Sequence, residues 1–107
     1  MKNLFIKLKY KTNWGQVIKI TGSIPQLGEW QDSMSNQLSC IDASTWAINI
    51  QIPKALNDLD FKFLIYQGDS KVREEEGIHS VNIPQGSSEI ECIWKEKEAQ
   101  PYFQTYA

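Results

Sequence analysis

At 107 residues, with 41% hydrophobic and 22% charged side chains, the chain suits one packed core and excludes both intrinsic disorder and a second core. A formal net charge of −2 and a sequence pI near 5.3 argue against a nucleic-acid partner, which needs a basic face to neutralise phosphates. No apolar run approaches the roughly 20 residues that cross a bilayer, and lysines interrupt the N-terminal segment Met1 to Lys9. Neither a membrane partner nor a secretory signal is expected, and the chain reads as cytoplasmic.

Period-two alternation begins at once. Over residues 4–10, Leu4, Ile6, Leu8 and Tyr10 fall on one face, with Phe5, Lys7 and Lys9 opposite. The turn Thr12-Asn13-Trp14-Gly15 leads to a β-branched run, Val17-Ile18-Lys19-Ile20-Thr21. Two glycines and a proline in Gly22-Ser23-Ile24-Pro25-Gln26-Leu27-Gly28-Glu29-Trp30 break that strand, and the break ends on a tryptophan with no periodic pattern around it. A tryptophan in a turn either folds back as a plug or is displayed as a binding surface, and Trp14 and Trp30 are open to both readings.

Leu38-Ser39-Cys40-Ile41-Asp42-Ala43-Ser44 reads as a loop. Residues 45–52 then alternate cleanly, with Trp46, Ile48, Ile50 and Ile52 on one face, Thr45, Ala47, Asn49 and Gln51 on the other, and Pro53 as the stop. Residues 60–66 place Phe61, Phe63 and Ile65 inward and Lys62, Leu64 and Tyr66 outward. Shorter strands are predicted from Lys71 to Glu75, from Ile78 to Ile83, and from Glu89 to Trp94, joined by glycine- and serine-containing turns. Trp46 is expected in the core, and Trp94 in the core or at a domain contact. The pattern predicts an all-β fold, a single antiparallel β-sandwich of about seven or eight strands over residues 1–95. Residues 96–107 read as a charged linker and an aromatic tail, Tyr102-Phe103-Gln104-Thr105-Tyr106, expected to pack on a following domain.

Chemistry-bearing constellations are scarce. His79 is the one histidine and reads as a lone surface or edge residue. Cys40 and Cys92 lack CxxC spacing and read as free thiols, with a single disulfide left open. Glu74-Glu75-Glu76 reads as a solvated rim and not as a cation site. No GxGxxG, P-loop or HExxH pattern occurs, so no catalysis, metal or cofactor is expected within this chain.

The aromatics are the remaining signal, because sugar rings offer apolar C–H faces to flat platforms and hydroxyl edges to polar groups. Trp14-Gly15-Gln16 followed by Gly22 to Trp30 resembles the opening of the starch-binding domains of carbohydrate-binding module family 20, an immunoglobulin-like fold. Residues 46–53, the stretch Asp60-Phe61-Lys62-Phe63 and Val72 to Gly77 continue the likeness in the same order. Within the family, the Tyr10-Lys11-Thr12-Asn13-Trp14-Gly15 opening and the Ile93-Trp94 exit are similar to the N-terminal module of plant disproportionating-enzyme-type cytosolic 4-alpha-glucanotransferases, in which a catalytic domain follows.

The resemblance implies two α-glucan sites. One uses Trp30 as platform, Lys62 as hydroxyl donor and Asp60 as acceptor; the family's second platform there is a tryptophan, and Glu74 stands in its place. The other uses Trp14, and its usual aromatic partner is missing from the loop 38–44. Both sites are thus expected in reduced form. The implied function is a non-catalytic module that binds starch or glycogen for a larger glucan-transferring enzyme; the alternative is a module of the same fold serving as an interdomain or subunit contact.

Overall fold

The computed structural model describes residues 1–95; the linker and aromatic tail expected over 96–107 lie outside the described residues. Within them the chain forms nine strands: β1 (Lys2–Lys9), β2 (Gln16–Gly22), β3 (Asn36–Gln37), β4 (Ser39–Asp42), β5 (Thr45–Ile52), β6 (Asp58–Gln67), β7 (Ser70–Glu74), β8 (His79–Asn82) and β9 (Ser88–Ile93). Two short 3₁₀ turns, Pro25–Trp30 and Asp32–Met34, connect β2 to β3.

One sheet has the order β4-β5-β1-β9, and the other β3-β2-β6-β7 with β8 also on β6. The expected all-β sandwich is present, with two amendments. β1 and β9 run parallel, from Leu4 opposite Ser88 to Lys9 opposite Ile93, while the other pairs are antiparallel. The segment expected as a loop over 38–44 contains β4, paired with β5 from Ser39 opposite Ala47 to Asp42 opposite Thr45. Its side chains are exposed, so no apolar alternation announced it.

The inward residues of both sheets form one core: Leu4, Ile6, Leu8, Ile18, Ile20, Trp46, Ile50, Ile52, Leu59, Phe61, Phe63 and Ile65 among others. Three residues expected on outer faces, Leu64, Ala47 and Thr45, are buried as well. Each belongs to a strand flanked on both sides, so its neighbours in register cover it: Lys19 and Glu74 beside Leu64, Lys7 and Ser39 beside Ala47. Both cysteines are free, Cys40 exposed and Cys92 buried. Burial first, and then the carboxylates of Glu75 and Glu91, push the Cys92 thiol up to about 11 and keep it inert.

The far edge of β6 is shared. β7 pairs with its C-terminal half at Leu64–Gln67 and β8 with its N-terminal half at Asp58–Phe61. At the junction Glu75 takes over the ladder: its N–H donates to the Phe63 carbonyl (3.1 Å), and its side-chain Oε1 accepts from the Phe63 N–H (2.7 Å). The other oxygen, Oε2, accepts from the Lys95 N–H (2.6 Å) and lies 2.7 Å from His79 Nε2. The expectations of a solvated rim and a lone histidine are therefore corrected at these positions. Glu75 is 3% exposed, and the His79 ring stacks on Phe61 at 5.2 Å between centroids. A buried carboxylate is tolerated because each oxygen is hydrogen-bonded.

Glu75→Ala strands the Phe63 and Lys95 N–H groups and is expected to cost about 3 kcal/mol or more of unfolding free energy. Glu75→Gln keeps one acceptor oxygen and should cost less, about 1–2 kcal/mol in urea denaturation. Equal and negligible losses would show that this carboxylate does not hold the sheets.

Candidate functional site

The segment that breaks β2 is built by close approach. A side chain at Gly22 would place its Cβ 2.6 Å from the Asp60 carbonyl oxygen, so only glycine lets the end of β2 lie this close to β6. Asp60 is fixed there by Ser23, whose N–H donates to the Asp60 carbonyl (2.9 Å) and whose hydroxyl accepts from the Asp60 N–H (3.3 Å). Pro25 opens the 3₁₀ turn, and Leu27, fully buried, anchors it in the core.

Three consecutive residues then take left-handed backbone: Gly28 (φ 78°), Glu29 (φ 49°) and Trp30 (φ 67°). At Gly28 any Cβ would also lie 2.6 Å from the Met34 carbonyl oxygen. For the two L-residues this conformation costs about 1–2 kcal/mol each, strain that persists only where the surroundings impose it. The turn carries Trp30 outward, with 39% of its surface exposed.

From Asp32, two residues past Trp30, a chain of charges runs across the sheet. The Asp32 carboxylate sits 2.5 Å from Lys71 Nζ, Lys71 Nζ sits 2.6 Å from one Glu74 oxygen, and the other Glu74 oxygen accepts from Lys62 Nζ. Lys62 and Glu74 occupy the outer face of the β6–β7 pair, as alternation predicts. Lys71 reaches that face for another reason. Glu74 opposes Leu64 and Arg73 opposes Ile65, but Tyr66 opposes Lys71, so Val72 is the extra residue of a β-bulge. The bulge resets the alternation and puts Lys71 and Glu74, three apart in sequence, on one side.

Lys62 first and then Lys71 hold the Glu74 carboxyl below the usual range; Asp32 first and then Glu74 raise Lys71. A hollow of about 440 Å³ opens alongside, lined by Lys62, Glu74, Glu75, Glu76, Gly77 and Ile78. Asp60 lies on the same outer face and is exposed. The structure thus gathers Lys62 and Glu74, ties them through Lys71 and Asp32 to the turn that carries Trp30, and sets Asp60 on their face. Lys62, expected as a hydroxyl donor, donates to Glu74 in this structure. Sequence reasoning missed Lys71 and Asp32, because strict alternation puts Lys71 on the wrong face and nothing local marks Asp32.

Trp14 stands apart, in the connection between β1 and β2. The Asn13 N–H donates to Gln16 Oε1 (2.9 Å), the Gln16 N–H to the Asn13 carbonyl (3.1 Å), and Gln67 Nε2 to the Trp14 carbonyl (3.4 Å). These bonds clamp the backbone while the indole remains 95% exposed, against 5% for Trp46. Beside it is a hollow of about 470 Å³, lined by Lys11, Trp14, Gln16, Cys40, Ala43 and Trp46. β4 therefore contributes Cys40 where an aromatic was sought.

Flat indoles on fixed turns, with carboxylate and ammonium groups beside them, suit an uncharged ligand with apolar faces and hydroxyl edges. No group of three or more metal-ligating side chains occurs among the described residues.

Known proteins share this arrangement of strands. An AA13 family lytic polysaccharide monooxygenase A from Pyricularia oryzae is 30% identical over 95 residues, covering 81% of this chain and 25% of that protein. The chain thus spans a quarter of that relative's length. A glycoside hydrolase family 15 glucoamylase from Hypocrea jecorina superposes with a TM-score of 0.80 at 19% identity, over 89% of this chain and 17% of the other. The family 20 CBM of a maltotetraose-forming amylase from Pseudomonas saccharophila STB07 gives 0.71 at 21% identity, over 86% and 99%. These structural likenesses establish the fold. Residues 3–93 match the starch binding domain family CBM20, and the chain belongs to that family.

Proposed function

We propose that this module binds α-glucan non-catalytically through two surfaces, Trp30 with Lys62, Asp60 and Glu74, and Trp14 with the hollow beside it. The observation that carries the reading is Trp14, an indole 95% exposed on a backbone clamped by three hydrogen bonds. A tryptophan held in water on a fixed backbone offers a flat platform and is not a core element. Membership of the starch-binding family supports starch-like α-glucan as the ligand.

Stacking of a glucosyl C–H face on each indole provides the apolar contact, and Lys62, Asp60 and Glu74 exchange hydrogen bonds with ring hydroxyls. The module acts by local concentration, since a tethered catalytic domain meets the polymer intramolecularly. The Tyr10 to Gly15 opening and the Ile93-Trp94 exit support a 4-alpha-glucanotransferase acting on starch, glycogen or soluble glucan in the cytoplasm as the parent protein.

A contact role is the second reading. It is favoured by an apolar groove of about 580 Å³ at the end of β9, lined by His79, Val81, Ile90, Cys92, Ile93 and Trp94. It is favoured too by Glu74, which occupies Lys62 where a second platform would stand.

Native electrophoresis through amylopectin or glycogen discriminates the two. Trp14→Ala and Trp30→Ala should each lose retardation, by about three- to tenfold in apparent affinity. Trp14→Ala should also leave stability within about 0.5 kcal/mol, because its indole packs little. An unretarded wild type sinks glucan binding and leaves the contact role. Glu74→Trp restores a second platform and releases Lys62, so affinity for maltoheptaose should rise about three- to tenfold by calorimetry. A fall would mean that binding depends on Glu74, either directly or through the lysines it engages.

A further inference from the structure

We propose that Lys71 is a positioning residue for the Trp30 platform: the bulge at Val72 brings its ammonium to the outer face, where it latches the Trp30 turn to the sheet through Asp32. The inference rests on the reading that Trp30 meets glucan, and it adds that this site's affinity depends on an ion pair outside the sugar contact.

The argument begins with the strain. Left-handed backbone at Gly28, Glu29 and Trp30 is held from the N-terminal side by Leu27 in the core, and by the Asn36 amide on the Gln26 carbonyl (2.7 Å). Beyond Trp30 the chain turns on local bonds: the Gln31 N–H donates to the Gly28 carbonyl (2.9 Å), and Met34 and Ser35 close the next turn on Gln31 and Asp32. Local bonds shape this stretch, and Leu27 and the β3 residue Asn36 place its two ends on the sheet. Asp32, two residues past Trp30, supplies a tie to the sheet by its 2.5 Å contact with Lys71.

Lys71 in turn is fixed by Glu74 at 2.6 Å, and Glu74 by Lys62. The Asp32 and Lys71 side chains are 38% and 34% exposed, so the pair stays in reach of water and responds to salt. Val72 is the enabling residue. Without the extra residue at Val72, Lys71 would point to the opposite face and Asp32 would have no partner there. A site with one platform depends more on how that platform is held than a site with two, since no facing ring fixes the sugar.

The test uses the Trp14→Ala protein, so that maltoheptaose reports the Trp30 surface alone, with 5-fluorotryptophan incorporated and the Trp30 resonance assigned by Trp30→Phe. Lys71→Met and Asp32→Asn are each expected to weaken maltoheptaose about three- to fivefold, and the double variant no further. Lys71→Arg should recover most of the loss. Thermal midpoints of all variants should stay within a few degrees, roughly the shift of a surface change. In sugar-free protein the Trp30 fluorine signal should shift in both single variants and toward the same position with about 1 M salt. Additive losses, or a loss with Lys71→Met alone, would route the effect through Glu74 and overturn the latch. An unmoved fluorine signal overturns it as well. If the Trp14→Ala protein fails to bind maltoheptaose, the Trp30 reading fails instead, and the sugar-free fluorine shift still decides the latch.

Discussion

The buried carboxylate of Glu75 is the constraint from which the site end of the molecule follows. β6 exchanges one partner strand for another at Lys62-Phe63, and a backbone edge left open there would expose unpaired groups next to the core. Glu75 fills the gap with its own N–H and one carboxylate oxygen, and uses the other oxygen to catch His79 and the backbone of Lys95 beyond β9. One side chain thereby joins the outer strands of both sheets. Because Glu75 points inward, its neighbour Glu74 must point outward, beside Lys62. The same backbone direction that satisfies the core delivers a carboxylate to the candidate site.

The other half of that site is paid for in local strain. Two non-glycine residues at positive φ oppose folding, and Gly22 and Gly28 are confined to glycine by backbone carbonyls at 2.6 Å. The return is a tryptophan displayed on a turn whose position the core and the sheet both determine. Strain concentrated beside an exposed aromatic is one of the observations behind the proposed binding role of this turn. Trp14 reaches the same end by a cheaper route, in which a clamped loop needs positive φ only at Gly15 (86°).

The two proposed surfaces are unequal in build. Trp14 is a bare platform next to Cys40 and Trp46, whereas Trp30 has charged neighbours already engaged with one another. Glu74 in place of a ring exchanges an apolar face for a carboxylate that Lys62 and Lys71 hold ionised. Water competes for such a group more effectively than for an indole face, so in the proposed binding mode recognition there leans on hydrogen bonds formed in an aqueous setting. Polymer binding tolerates this, because many equivalent glucan epitopes compensate for weak individual contacts.

Much of this was legible in the residues alone. Alternation over 45–52 and 60–66 marked β5 and β6 and their inward faces, because a half-buried strand must separate apolar from polar side chains at period two. The glycine- and proline-broken run to Trp30 marked the turn that carries it, because such a backbone admits few conformations. Alternation also placed Lys62 and Asp60 outward. It failed where tertiary neighbours decide: β4 has exposed side chains and exists through its pairing with β5; Leu64 is outward yet covered; Glu75 and His79 are polar yet buried, because they satisfy each other and the backbone. A bulge shifts the register of everything after it without any signature in residue type, so Lys71 and its union with Asp32, 39 positions earlier, were decided only by the packed sheet. Local sequence encodes which face a residue prefers; which distant group meets it there depends on strand register, and register is a property of the assembled sandwich.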